Sequence, residues 1–93
     1  MRLRYTRRAL RQLNGIRSYI TERNPDAAAR VIAQIRRTTG HLATFPRLGH
    51  EGTEPGTRQM SVPGLPFVIV YRIDSAEEDW VTILGVFHGA QRR

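Results

Sequence analysis

The sequence of 93 residues contains neither cysteine nor lysine, and its longest uninterrupted apolar run is the short stretch "FVIVY". Without cysteine the chain cannot form disulfides, thiolate metal sites or a thiol nucleophile, and this composition fits a reducing cytoplasm. The apolar run is far shorter than the ~20 residues that span a bilayer. The opening stretch, "MRLRYTRRAL", also lacks the apolar core of a secretion signal. We therefore expect a cytoplasmic protein that does not associate with membranes.

Most motifs of familiar enzyme chemistry are also missing. The sequence contains no GxxxxGK[ST] phosphate-binding loop, no GxGxxG motif after a strand and no GxSxG nucleophile elbow. Its histidines, His41, His50 and His88, are too far apart in the sequence for a local metal motif. Glu51 and Glu54 lie close together in a glycine-rich stretch, where acidic side chains are usually solvated. We expect no metal and no cofactor.

The composition is that of an ordinary globular protein, with 40% hydrophobic and 25% charged residues. At this length we expect a single domain over residues 1–93 with one modest core. The chain has 15 arginines and 8 acidic residues, and its net charge of +7 favours a polyanionic partner such as nucleic acid or an acidic protein. The exclusive use of arginine is explained equally well by a GC-rich genome and by selection for the fork of hydrogen-bond donors on the guanidinium group.

Two consecutive helices are predicted from capping residues and apolar spacing. Thr6 offers an N-cap for the segment "RRALRQLNGIRSYITER". Asn24 caps the second helix, and Pro25 begins it. The apolar residues of the first helix fall at helical spacing: Leu10, Leu13, Ile16 and Ile20. Those of the second helix also form a stripe: Ala28, Val31, Ile32, Ile35 and Leu42. The two helices are expected to form a hairpin.

The other regular segments are predicted to be strands. "RLRY" at the start of the chain alternates polar and apolar residues. After the irregular loop "FPRLGHEGTEPG", the period changes to two in "TRQMSV", "PFVIVYRI" and "WVTILGVFH". The acidic stretch "DSAEED" connects the last two strands. The order βααβββ predicts an α+β domain in which the helical hairpin packs on one face of a mainly antiparallel sheet.

Several arginines lie where the first helix begins. Arg7, Arg8 and Arg11 occupy its first turns, where the helix dipole disfavours a cation by about 0.3 to 1 kcal/mol. Arg2 and Arg4 share one face of the preceding strand. This placement indicates an anionic partner, although a solvated charged face explains it at least as well. An acidic amphipathic helix laid against this region would satisfy both the arginines and the nearby apolar residues.

A second basic group belongs to the predicted sheet and the chain end: Arg58, Arg72, His88, Arg92 and Arg93. If the strand ends converge at one edge, these side chains share a site. Each also has a simpler explanation. Arg72 is expected to pair with Asp74 or Glu77, the imidazole of His88 to be held by the backbone, and the final arginines to form a mobile tail.

These segments together resemble the RelE/ParE superfamily of bacterial toxins from type II toxin-antitoxin systems. The resemblance is carried by "LRYTRRALRQLNGIRSYI", "FPRLG", "GTRQMSV", "FVIVYRI" and "VTILGVFHGAQRR", and it spans nearly the whole chain. It implies a compact toxin with a sheet and a helical hairpin. It also implies a toxin-antitoxin complex in which the C-terminal segment of a cognate antitoxin wraps around the toxin.

The sequence is more similar to the ParE branch, whose members poison DNA gyrase, than to the RelE branch, whose members cut messenger RNA on the ribosome. "GTRQM" with Arg58 and "VFHGAQRR" with His88 match ParE-like motifs. Gln91 stands where arginine is usual, and Arg92 is the candidate substitute. The stretch "PGLP" at residues 63–66 replaces a basic residue expected of RNA-cutting relatives.

The resemblance therefore implies a growth-arresting gyrase inhibitor that is not an enzyme. The expected target-binding residues are the second basic group: Arg58, Arg72, His88, Arg92 and Arg93. The expected antitoxin-binding residues lie on the first helix: Arg7, Arg8, Leu10, Arg11 and Leu13. Two alternatives stay open. One is a RelE-like, ribosome-dependent endoribonuclease with His88, Arg58 and Arg92 as catalytic residues; the other is a basic binding module without toxicity.

Overall fold

The computed structural model describes residues 1–75 and 79–89 and contains two helices and five strands. In chain order they are β1 (Arg2–Tyr5), α1 (Arg7–Thr21), α2 (Pro25–Thr44), β2 (His50–Glu51), β3 (Arg58–Ser61), β4 (Phe67–Asp74) and β5 (Trp80–His88). The predicted α+β order is confirmed, and the irregular loop contributes the additional short strand β2.

The strands form one mixed sheet in the order β1-β5-β4-β3-β2. Neighbouring strands from β2 to β5 are antiparallel, whereas β1 pairs with β5 in parallel. The helical hairpin makes the parallel pair possible. Parallel strands need a long connection between them, and α1 and α2 supply it by leading the chain away from the end of β1 and returning it before the later strands begin. β5 therefore has a strand on each side, and the backbone groups at both of its edges are paired within the sheet.

Both helices begin where their caps were predicted. The Thr6 hydroxyl accepts a hydrogen bond from the amide of Ala9 at 3.1 Å. The Asn24 side-chain carbonyl accepts one from the amide of Ala27 at 3.2 Å, and Pro25 occupies the first turn of α2. Each cap satisfies an amide that has no acceptor within the helix.

The core lies between the helical hairpin and one face of the sheet. Its buried members come from both layers: Ala9, Leu13, Ile32, Ile35, Leu42, Val62, Ile69, Tyr71, Val81, Ile83 and Val86. Leu10 is the exception to the predicted stripe of α1, since 41% of it is exposed. It lies about 100° around the helix from Ala9, and this places it on the flank of the buried face. In the described part of the chain, neither helix has the length and hydropathy needed to cross a membrane.

Candidate functional site

The outer face of α1 carries three arginines that have no side-chain partner in the described part of the chain. Arg7, Arg8 and Arg11 are exposed, and within residues 1–75 and 79–89 their side chains form no hydrogen bond, ion pair or ring contact. The first turn of α1 contains no acidic residue to offset the helix dipole. Leu10 lies on the flank of the same helix and is partly exposed. Four of the five expected antitoxin-binding side chains are therefore accessible.

Leu13 is a correction to that set. Only 1% of this residue is exposed, and it packs in the core between α1 and the sheet. The sequence pattern identified it correctly as apolar, but a side chain that fills the core cannot also contact another protein directly. Its role is to hold α1 in place.

The basic residues of the sheet do not converge at one edge. Arg58 lies opposite Tyr71 of β4, and His88 lies opposite Phe67 of the same strand. These two positions are separated by roughly 13 Å along the strand. In this antiparallel meander the start of β3 and the end of β5 pair with positions four residues apart on β4, so the expected convergence of Arg58 with His88 is wrong.

Arg58 is bound to the loop that follows α2. Its Nη2 atom donates to the backbone carbonyl of Gly49 and, at 3.3 Å, to that of Arg47. Beside it, the hydroxyl of Tyr71 donates to the carbonyl of Pro46 at 2.6 Å and accepts from the amide of Gly49 at 3.1 Å. The Nε of Arg58 is buried and has no acceptor among the described residues. This guanidinium holds the loop backbone, a contact that the sequence pattern did not reveal.

Arg72 lies in a polar cluster on the sheet face opposite the helices. Its Nε contacts the Asp74 carboxylate at 2.7 Å, and Arg4 contacts the other carboxylate oxygen at 3.4 Å. The Thr82 hydroxyl donates to the same group at 2.7 Å. This hydrogen bond, followed by those from the arginines, holds the pKa of Asp74 below its ordinary value although desolvation opposes the shift. The predicted pairing of Arg72 with Asp74 is confirmed; Glu77 lies outside the described residues.

The same face carries the N-terminal arginines. The guanidinium carbons of Arg2 and Arg4 lie 4.5 Å and 4.7 Å from the centre of the Trp80 ring. Trp80 lies opposite Arg2 in the parallel pair of β1 and β5, so the register brings these groups together. Cation-π contacts of this kind hold both arginines close to the sheet surface.

His88 lies at the end of β5, where its ring and that of Phe67 form a T-shaped pair with 5.8 Å between the ring centres. The imidazole is half-buried, and Arg92 and Arg93 lie outside the described residues. The three candidate ribonuclease residues are thus not assembled in the described part of the chain, since His88 and Arg58 are far apart. That part also contains no group of three or more metal-ligating side chains.

The loop after α2 exposes apolar side chains that the sequence pattern did not single out. Phe45 is 62% exposed and Leu48 is 50% exposed. Arg47 lies between them and lines an adjacent cavity of about 350 Å³. The signal in the sequence was "FPRLG", in which two large apolar residues occupy a stretch that proline and glycine mark as irregular.

Comparison with known families gives a match over nearly the whole chain. A family model described as "ParE toxin of type II toxin-antitoxin system, parDE" matches residues 3–93. The chain belongs to the ParE toxin family. It is therefore a toxin of the type II toxin-antitoxin class, and the resemblance seen in its sequence is confirmed.

Relatives of this ParE toxin agree with the family match. The chain is 42% identical over 91 residues to a protein of Sinorhizobium fredii named "Putative toxin Y4kP", and the match covers 98% of this chain and 91% of that protein. A structure of the chromosomal ParDE system from P. aeruginosa has a TM-score of 0.83 at 22% identity, over 95% of both chains. The intact RelBE toxin-antitoxin complex of E. coli gives 0.69 at 16% identity, over 94% of both chains. These structures share the fold of the ParE toxin described here.

Proposed function

We propose that this ParE-family toxin inhibits DNA gyrase and is neutralised by a cognate antitoxin. The observation that carries the proposal is the family match over residues 3–93, supported by the ParE-like motifs around Arg58 and His88. The 42% identical relative, itself named as a toxin, is consistent with it. The protein acts in the cytoplasm, where gyrase and the antitoxin are found.

The geometry gives less support to cleavage of messenger RNA. Attack by a 2′-hydroxyl on a phosphodiester gains from a base, an acid and a phosphate stabiliser held together, and each proton-transfer role is worth about 10² to 10⁴ in rate. His88 and Arg58, two of the three candidate groups, pair with Phe67 and Tyr71, which are four residues apart on β4. Binding to a target is therefore a better account of these residues than catalysis.

The antitoxin contacts, in this proposal, the outer face of α1. Three exposed guanidinium groups at the positive end of a helix dipole attract an acidic segment, and Leu10 adds apolar area beside them. The structurally similar RelBE structure is a toxin-antitoxin complex. A hetero-oligomer of toxin and antitoxin is the expected resting form.

The target contacts the carboxyl end of β5 in the same proposal. His88 is half-buried there, and Arg92 and Arg93 follow it in the sequence. Arg58 and Arg72 are less suited to this role because their guanidinium groups bind the loop and Asp74, respectively. The contact is thus expected to depend on His88 and the final arginines.

Two cell-free assays run side by side test the proposed function. In the first, purified toxin is added to gyrase and relaxed plasmid; in the second, to translating ribosomes with a defined messenger RNA. We expect inhibition of supercoiling or trapped cleaved DNA in the first assay and intact messenger in the second. Cleavage of the messenger with normal supercoiling would replace the proposal by the RelE-like activity, and a null result in both assays would indicate a non-toxic binding module.

A further inference from the structure

Three of the exposed large apolar residues belong to segments whose backbones meet where α2 ends. Met1, Phe45 and Leu48 are 40%, 62% and 50% exposed. The amino group of Met1 donates to the carbonyl of Ala43 at 2.9 Å, and the amide of Leu48 donates to the carbonyl of Phe45 at 3.0 Å. We call Met1, Phe45 and Leu48, with Arg47 between the last two, the loop patch. Exposed apolar residues that are grouped, in contrast to isolated ones, are typical of interaction surfaces.

The backbone beneath the loop patch is held in one conformation by the sheet. Tyr71, which is fully buried, bonds to Pro46 and Gly49, and Arg58 bonds to the carbonyls of Arg47 and Gly49. A Cβ atom at Gly49 would collide with the carbonyl oxygen of Gln59, so only glycine allows this close approach. The exposed side chains are therefore presented by a rigid loop, which lowers the entropic cost of binding.

The chemistry of the loop patch fits a protein. Aromatic residues and arginine are enriched among the residues that dominate protein-protein binding energy. Arg47 is exposed, and its side chain has no partner among the described residues. Glu51 and Glu54 line the same cavity as Arg47, and their carboxylates would repel a phosphate backbone. A partner with an apolar pocket and a carboxylate for Arg47 would match the loop patch in shape and charge.

The loop patch is also distant from the arginines of α1. It includes Met1, which precedes β1, whereas α1 starts after Tyr5 at the other end of that strand, where the amide of Thr6 donates to the carbonyl of Ile83. A segment bound along the first turns of α1 would thus leave the loop patch accessible.

We propose that the loop patch is a contact surface for the protein target of the toxin, in addition to the carboxyl end of β5. The inference rests on the proposed function, in which the target is a protein and the antitoxin binds α1. The target presents an apolar pocket that receives Phe45 and Leu48, together with a carboxylate that pairs with Arg47.

Surface variants of the full-length toxin, purified from its antitoxin complex, test the inference. The double variant Phe45→Ser/Leu48→Ser and the single variant Arg47→Gln remove the two kinds of contact. Tyr19→Ser is the matched control for the first, because Tyr19 is 61% exposed in the last turn of α1, away from the first turns that the antitoxin is proposed to contact. Arg30→Gln is the control for the second, since Arg30 is an exposed arginine of α2 without a described partner. Melting temperatures establish that every variant is folded.

We expect the double variant to require at least about tenfold more protein for half-inhibition of supercoiling, because hot-spot side chains typically contribute more than 1 kcal/mol each. Arg47→Gln should show a smaller loss, and both controls and all antitoxin affinities should stay within about twofold of the unmodified toxin. Equal inhibition by the double variant and the unmodified toxin would overturn the inference alone. A loss of antitoxin affinity would also overturn it, by assigning the loop patch to the antitoxin. An unmodified toxin without effect on gyrase would overturn the proposed function, and this inference with it.

Discussion

At the scale of single residues, two polar side chains of the sheet bind a loop backbone. The Tyr71 hydroxyl lies in the core and satisfies one carbonyl and one amide of the segment that follows α2. Arg58 adds two further contacts to the same segment. Buried polar groups of this kind are stable when they are paired and costly when one partner is removed. These contacts anchor the backbone of residues 46–49 to the sheet.

We expect Tyr71→Phe to lower the free energy of unfolding by about 1 to 3 kcal/mol, because it leaves the carbonyl of Pro46 and the amide of Gly49 without their partner. Tyr19→Phe is the matched control, since Tyr19 is exposed and its hydroxyl forms no hydrogen bond with the described residues. Urea denaturation followed by circular dichroism measures both changes. Equal stability of the two variants would show that the Tyr71 hydroxyl does not hold the loop.

Asp74 makes the stability of the fold depend on pH. Its folded-state pKa lies below the ordinary value of 3.8, mainly because Thr82 donates to the ionised carboxylate. The carboxylate therefore stabilises the fold above that value, and this contribution is lost as the pH falls through 3.8 and then through the lower folded-state pKa. Burial raises the pKa of Asp74 and the neighbouring arginines lower it, and the pKa remains below its ordinary value.

We expect Asp74→Asn to be less stable than the unmodified toxin at neutral pH, and the difference to narrow as the pH is lowered below 3.8. Urea titrations over this pH range provide the measurement. Glu22→Gln serves as the control. Glu22 is 77% exposed, and its ion pair with Arg23, at 3.7 Å, is also exposed, so this pair contributes little to stability. A difference that is independent of pH would contradict the assigned role of Asp74.

At the scale of elements, local signals in the sequence predicted the helices well. Thr6, Asn24 and Pro25 mark helix starts by local chemistry, so the structure needed no distant contact to define them. The short strand β2 escaped prediction because its two residues are defined only by pairing with β3. The separation of Arg58 from His88 also depends on strand register, which residue spacing alone does not determine.

The outer face of α1 leads to a prediction at this scale. We expect the triple variant Arg7→Ser/Arg8→Ser/Arg11→Ser to bind the cognate antitoxin roughly 10- to 100-fold more weakly at low salt, since each exposed charge contact contributes up to about 1 kcal/mol. The affinity of the variant should also depend less on salt concentration. Isothermal titration calorimetry at two salt concentrations measures both effects.

Arg30→Ser is the matched control for that variant, because Arg30 is also an exposed helical arginine without a described partner. It should retain the affinity and salt dependence of the unmodified toxin. Unchanged affinity of the triple variant at low salt would exclude α1 as the acidic partner's binding surface.

In the molecule as a whole, the topology places on different surfaces arginines that composition alone does not distinguish. Arg7, Arg8 and Arg11 of α1 have no side-chain partner within residues 1–75 and 79–89, whereas the arginines of β1 and β4 contact Trp80 or Asp74. The arginines behind the net charge of +7 thus include some that are available to bind another molecule and others whose contacts stabilise the fold. Composition predicted the anionic partner but not this division, because pairing depends on the three-dimensional positions of the acids.

A gyrase assay is the most direct test of the proposed function. Purified toxin is titrated into a supercoiling reaction with relaxed plasmid, first alone and then after incubation with the cognate antitoxin. We expect supercoiling to fall with increasing toxin and to recover when the antitoxin is present in at least equal amount. Full supercoiling at toxin concentrations that arrest growth in cells would contradict the proposed inhibition of gyrase.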